Sequence, residues 1–96
     1  MPEVTVTLRN KKISVDQAKV QASEKAGHKV RWISMDGPFK ITFKPGSDWP
    51  HPPAARQDGG AWVIECGPFN RPGRTLSYAV SADGFDTLDP DIEIIP

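Results

Sequence analysis

One cysteine, two histidines and two methionines are the whole supply of soft ligands and near-neutral bases in these 96 residues. Cys66, His51 and Met35 together would make a soft set suited to Cu(I), but they are scattered and show no metal-ligand spacing. A nucleophilic Cys66 would need a neighbouring base. His28 falls at a turn and His51 in a proline-rich loop, and no spacing brings either to the thiol. Alternation along 62–66 places Cys66 on the face of Trp62 and Ile64, which reads as a buried thiol whose nucleophile is hidden. The carboxylates Asp83, Asp86, Asp89 and Asp91 suggest a calcium loop, but Phe85, Leu88 and Pro90 stand where such a loop needs ligands or glycine. A solvated acidic turn is the better reading. Gly59, Gly60 and Gly67 are isolated turn glycines, with no phosphate-cradling loop before a helix and no Gly-x-Ser-x-Gly or Ser-His-Asp arrangement. The residues therefore point away from an enzyme, and no cofactor is expected.

What remains is Trp49-Pro50-His51-Pro52-Pro53. Residues 45–60 have no periodicity, and proline cannot donate to a central ladder, so this stretch reads as a long exposed loop with at most one helical turn at 54–57. Trp49 can fold back to cover one end of the domain. Alternatively, a stiff loop carrying Trp49 and His51 loses little entropy on binding and suits a protein or peptide partner. Trp49 and His51 are the candidate binding residues, and loop 45–60 the candidate contact surface.

The elements that must position that loop are short strands. Val4, Val6 and Leu8 alternate with threonine and arginine, Val30 and Trp32 with lysine and arginine, and Phe39, Ile41 and Phe43 with lysine and threonine. Residues 61–66, 74–81 and 92–94 continue the pattern. Ile13 and Val15 follow a turn at Asn10-Lys11-Lys12, and Val20 and Ala22 alternate with polar neighbours. A helix over 16–25 capped by Asp16 competes, but Ala18, Val20 and Ala22 give it too little apolar face. Seven or eight strands without a convincing helix predict one all-β domain over 1–96, an antiparallel Greek-key β-sandwich of the cupredoxin or immunoglobulin kind. Its expected core is Val4, Val6, Leu8, Ile13, Val15, Val30, Trp32, Phe39, Ile41, Phe43, Trp62, Ile64, Leu76, Tyr78, Val80, Ile92 and Ile94.

Composition narrows the partners. Twelve basic and twelve acidic side chains cancel, which argues against nucleic acid and anionic membranes, and no apolar run approaches the roughly 20 residues of a membrane span. Residues 1–48 hold nine basic and five acidic side chains and residues 49–96 three and seven, so the halves carry +4 and −4. Either strands from the two halves lie side by side and balance locally, or the surface is bipolar. The strand-like residues 1–8 lack a secretory pattern and a lone thiol suits a reducing compartment, so a cytoplasmic location is expected.

Residues 20–32, VQASEKAGHKVRW, followed by Asp36-Gly37-Pro38 and Phe39-Lys40-Ile41-Thr42-Phe43, resemble a segment of the cupredoxins. Residues 72–80, PGRTLSYAV, resemble that family's Pro-Gly turn and the aromatic strand leading to its copper loop. The resemblance spans roughly 13–95. It implies the sandwich but not the metal site: Phe39 stands at the first histidine position, Val80 at the cysteine position, and residues 81–89 contain no histidine, cysteine or methionine. Blue copper needs that nitrogen and sulfur set, so electron transfer is not implied. The closing residues 88–94, LDPDIEI, also resemble the Asp-Pro element of the small bacterial DP-EP family, a β-rich group without an established function.

Overall fold

A computed structural model describes residues 2–43, 52–69 and 72–96. The described chain is all-β. It forms nine strands: β1 (Glu3–Arg9), β2 (Lys12–Val15), β3 (Lys19–Ser23), β4 (Val30–Ser34), β5 (Lys40–Phe43), β6 (Arg56–Asp58), β7 (Ala61–Cys66), β8 (Thr75–Ser81) and β9 (Asp91–Ile95). Two sheets pack as a sandwich, one ordered β2-β1-β4-β7-β6 and the other β3-β9-β8-β5.

Two features depart from the sequence expectation. The sandwich is not wholly antiparallel, because β1 runs parallel to β4 and β3 parallel to β9. Alternation reports which face of a strand is buried and is blind to chain direction. The additional strand is β6, in place of the helical turn expected at 54–57: Arg56, Gln57 and Asp58 lie opposite Val63, Trp62 and Ala61. All three β6 side chains are exposed, so no period-2 signal marks the strand. Gly59 and Gly60, at φ of 59° and 91°, make the tight link to β7, the positive-φ pair that two-residue hairpins favour.

The β1–β2 link has the same geometry from less suitable residues, with Asn10 and Lys11 at φ of 52° and 62°. A left-handed conformation costs a non-glycine residue about 1–2 kcal/mol, and glycine's extra chain entropy offsets about half of that. Lys11→Gly is therefore expected to stabilise the protein by about 0.5–1 kcal/mol, read as a higher urea midpoint at unchanged slope. Beyond this hairpin, side chains guard the β1 edge in place of a strand. Asp16 Oδ1 accepts from Thr5 N at 2.8 Å, and Gln17 Nε2 donates to Glu3 O at 2.8 Å. Asp16 thus caps a strand edge, and the chain continues as β3.

Fourteen of the seventeen expected core residues are buried; the exceptions are Val15, Phe43 and Trp62, which are half-buried and pack against the core. Val15 and Phe43 lie on the edge strands β2 and β5, and Trp62 lies beside the edge strand β6, where cover is thinner. Val20, Ala22, Cys66 and Phe69 join the core cluster. Val63 is also buried, at 1% exposure, on the face opposite Ile64. Arg31 lies opposite Glu65 in register, yet its Nη2 reaches Asp58 Oδ2 at 3.8 Å, so its side chain spans β7 over the outer face where Val63 sits. Charge from the two halves of the sequence meets locally: Lys19 lies opposite Asp91, Arg31 opposite Glu65, and Lys12 opposite Asp86 in an isolated backbone pairing.

Candidate functional site

The strand registers bring two turns to one end of the sandwich. Lys40 at the start of β5 pairs with Ser81 at the end of β8, so the chain entering β5 and the chain leaving β8 are neighbours. The first turn, after β4, is fixed by Asp36: its Oδ2 accepts from Leu8 N at 2.9 Å, and its own N donates to Ser34 Oγ at 3.2 Å. This ties residues 35–39 to the last inward residue of β1. The second turn closes when Phe85 N donates to Ala82 O at 3.0 Å, with Gly84 at φ of 84° in the position where a type II turn needs a left-handed residue. Asp86 N then donates to Lys11 O, and Leu88 and Val80 exchange backbone bonds, which anchor the far side of this turn to the body of the sandwich.

Between the two turns, and against residues 54–55 on the approach to β6, lies a cleft of about 510 Å³. Its volume is that of a site for a small molecule or one large side chain with its neighbours. Leu8 and Phe39 are buried and Phe85 half-buried, and they give the cleft an apolar floor walled by Pro38, Ala54, Ala55 and Ala82. Asp36 and Asp83, both exposed, supply its carboxylates. Lys40 also lines it, but Lys40 alternates with the inward Phe39 and Ile41, so its side chain stands on the outer face of the sheet. Among the described residues the ion pair is Arg31–Asp58, and it lies on the other sheet. Met35, beside Asp36, is 70% exposed and is the large apolar side chain left uncovered among the described residues.

The candidate binding residues Trp49 and His51 lie outside the described residues, as does the first half of loop 45–60. The described half does not remain a loop: Pro52 to Ala55 leads into β6, and Ala55 packs partly on the core. The set Cys66, His51 and Met35 does not converge in its described members. Cys66 lies opposite Val30 and Trp62 opposite Ser34, so Met35 stands five residues along β4 from Cys66, about 17 Å away. Cys66 is 4% exposed, and burial pushes its thiol up, against smaller opposing effects of the Gly67 backbone and the Lys29 charge. A buried thiol held protonated is a poor ligand and nucleophile. His28 Nδ1 accepts from Ser23 N at 3.1 Å, which commits that ring nitrogen to the β3–β4 turn. Asp91 Oδ1 accepts from Ser77 Oγ at 2.9 Å, within the sheet and not in an acidic loop. No cluster of three or more His, Cys, Asp or Glu able to hold a metal occurs among the described residues.

The cleft has no signature in the sequence. Leu8 and Phe39 read as core, which they are, and Phe85 read as the middle of an acidic turn. Asp36-Gly37 and Asp83-Gly84 mark both turns, but only the register of β5 on β8 places them together. No helix of the described chain is long and apolar enough to cross a membrane. No protein-family model matches the chain, and no curated protein matches it.

Proposed function

We propose that this chain is a non-catalytic binding module of the cytoplasm, a Greek-key sandwich of cupredoxin-like topology without copper, which engages a protein or peptide through its end cleft and loop 45–60. The observation that carries the reading is the apolar cleft of about 510 Å³ built from four separate stretches of chain on a two-sheet frame. A concave apolar site edged by a few polar groups is a common form of recognition site. The absence of copper rests on side-chain chemistry. Phe39 and Val80, at the two ligand positions the resemblance implies, are 2% and 0% exposed and offer no donor atom. Residues 54–55 of loop 45–60 line the cleft, and in this reading Trp49 and His51, which lie outside the described residues, are the loop's contact residues.

The test is affinity capture from lysate with three forms of the full chain: unaltered, Ala54→Arg, and Trp49→Ala with His51→Ala. Ala54 is exposed and lines the cleft, so arginine there fills the mouth without disturbing the core. The partners held by the unaltered chain are expected to be lost from both variants while each keeps its unfolding midpoint. Recovery of the same partners in the same amounts would overturn the reading.

A further inference from the structure

We infer that the end cleft selects a peptide in which an apolar side chain is flanked by lysine or arginine, an inference that rests on the binding role proposed above. Charge is the reason. The floor of Leu8, Phe39 and Phe85 offers an apolar side chain a place to bury, but it does not distinguish one apolar peptide from another. The charged side chains in the two turns that enclose it are Asp36 and Asp83. Among the described residues one cation, Lys40, lines the cleft beside them. Lys40 alternates with the inward Phe39 and Ile41, which sets it on the outer face of β5, and Arg9 is likewise one residue removed from the inward Leu8 on β1. Asp36 uses Oδ2 to hold Leu8 N, which leaves its other oxygen for a ligand and locks the carboxylate in place. Neither carboxylate is in an ion pair within the described structure. A cation next to a buried apolar anchor meets two carboxylates, one of them held in place by Leu8 N, whereas an anion there is repelled by both.

The test titrates the isotope-labelled full chain with three synthetic peptides of one length, blocked at both ends. Each has a central phenylalanine flanked on both sides by arginine, glutamine or glutamate. A fourth probe is dodecanoate. The backbone amides of Gly37, Ala82 and Gly84 report occupancy of the cleft. The arginine peptide is expected to bind tightest and the glutamate peptide weakest. Each of Asp83→Asn and Asp36→Asn should weaken the arginine peptide by about two- to five-fold, the range for exposed charge pairs, and the preference should shrink at high salt. Asparagine at 36 keeps an acceptor for Leu8 N, so both variants are expected to stay folded, and their amide spectra check this. If the peptides shift the cleft amides but bind alike, or glutamate or dodecanoate binds tighter, the selectivity is wrong and the binding role stands. If no probe shifts those amides, the binding role falls and takes this inference with it. Cleft shifts that vary with dilution of the protein alone would instead identify a second copy as the occupant and overturn the inference.

Discussion

Trp32→Ala is expected to destabilise the protein by about 3–5 kcal/mol, the range for deleting a fully buried large aromatic and leaving its cavity. Trp32 sits on β4 in one sheet at 0% exposure, and Tyr78 on β8 in the other at 2%. The rings meet edge-on at 5.3 Å, and Trp32 Nε1 donates to Tyr78 Oη at 3.0 Å. That bond is a buried polar contact between the two sheets. Tyr78→Phe separates the polar from the packing contribution: it keeps the ring and orphans the indole N–H, at a cost of about 1–3 kcal/mol. Both figures are read from urea unfolding with unchanged slope. Equal costs for the two substitutions would mean that the bond and not the packing dominates the site.

The same tyrosine gives the fold an alkaline limit. Burial first, and then the charges of Asp16 and Asp91, push its hydroxyl up to about 12, against the lowering effect of the Trp32 hydrogen bond. The unfolded chain releases this proton near the ordinary value of about 10, so between about pH 10 and 12 the folded state binds more protons than the unfolded one. Stability is full below about pH 10 and falls as pH rises through that window, by about 2–3 kcal/mol for this group. Tyr78→Phe should lose that part of the alkaline slope. If the slope is the same in both proteins, Tyr78 does not titrate differently in the two states.

The distribution of legibility follows from what each signal encodes. Val4, Val6 and Leu8, or Leu76, Tyr78 and Val80, announce their strands because each buries one face and wets the other. β6 carries no such signal because Arg56, Gln57 and Asp58 bury nothing and exist as a strand through backbone pairing to β7. Val63 and Ile64 are both buried, which breaks the local alternation, and on the outer face of β7 the Arg31–Asp58 pair joins strands far apart in sequence. Phe69 is 2% exposed yet follows β7 in a stretch with no period at all. The cleft is harder still. Its floor residues were legible one at a time as apolar, but their convergence depends on pairing Lys40 with Ser81, forty-one positions apart, and no local pattern carries that.

Gly67→Ala is the second substitution expected to do severe damage, about 3 kcal/mol or more, although it adds one methyl group at a half-buried turn. Two independent costs combine. Gly67 has a φ of 134°, outside the range that side-chain-bearing residues occupy, and forcing such a residue there costs about 1–3 kcal/mol. A Cβ at that position would also lie 2.9 Å from Lys29 Cα, 3.2 Å from the Phe69 ring and 3.3 Å from His28 O. The first of these is backbone and has no rotamer to yield, so the β7 end must move away from the entry to β4. That movement pulls on Cys66 opposite Val30, and on Phe69, both in the core cluster. The contrast is Gly59→Ala, also at positive φ but with nothing within 4 Å of an added Cβ. It should cost only the conformational part, about 1–2 kcal/mol. Thermal or urea unfolding of the two variants measures the difference, which isolates the steric contact. If Gly67→Ala costs no more than Gly59→Ala, the close approach of residue 67 to the Lys29 backbone is not a feature of the folded protein.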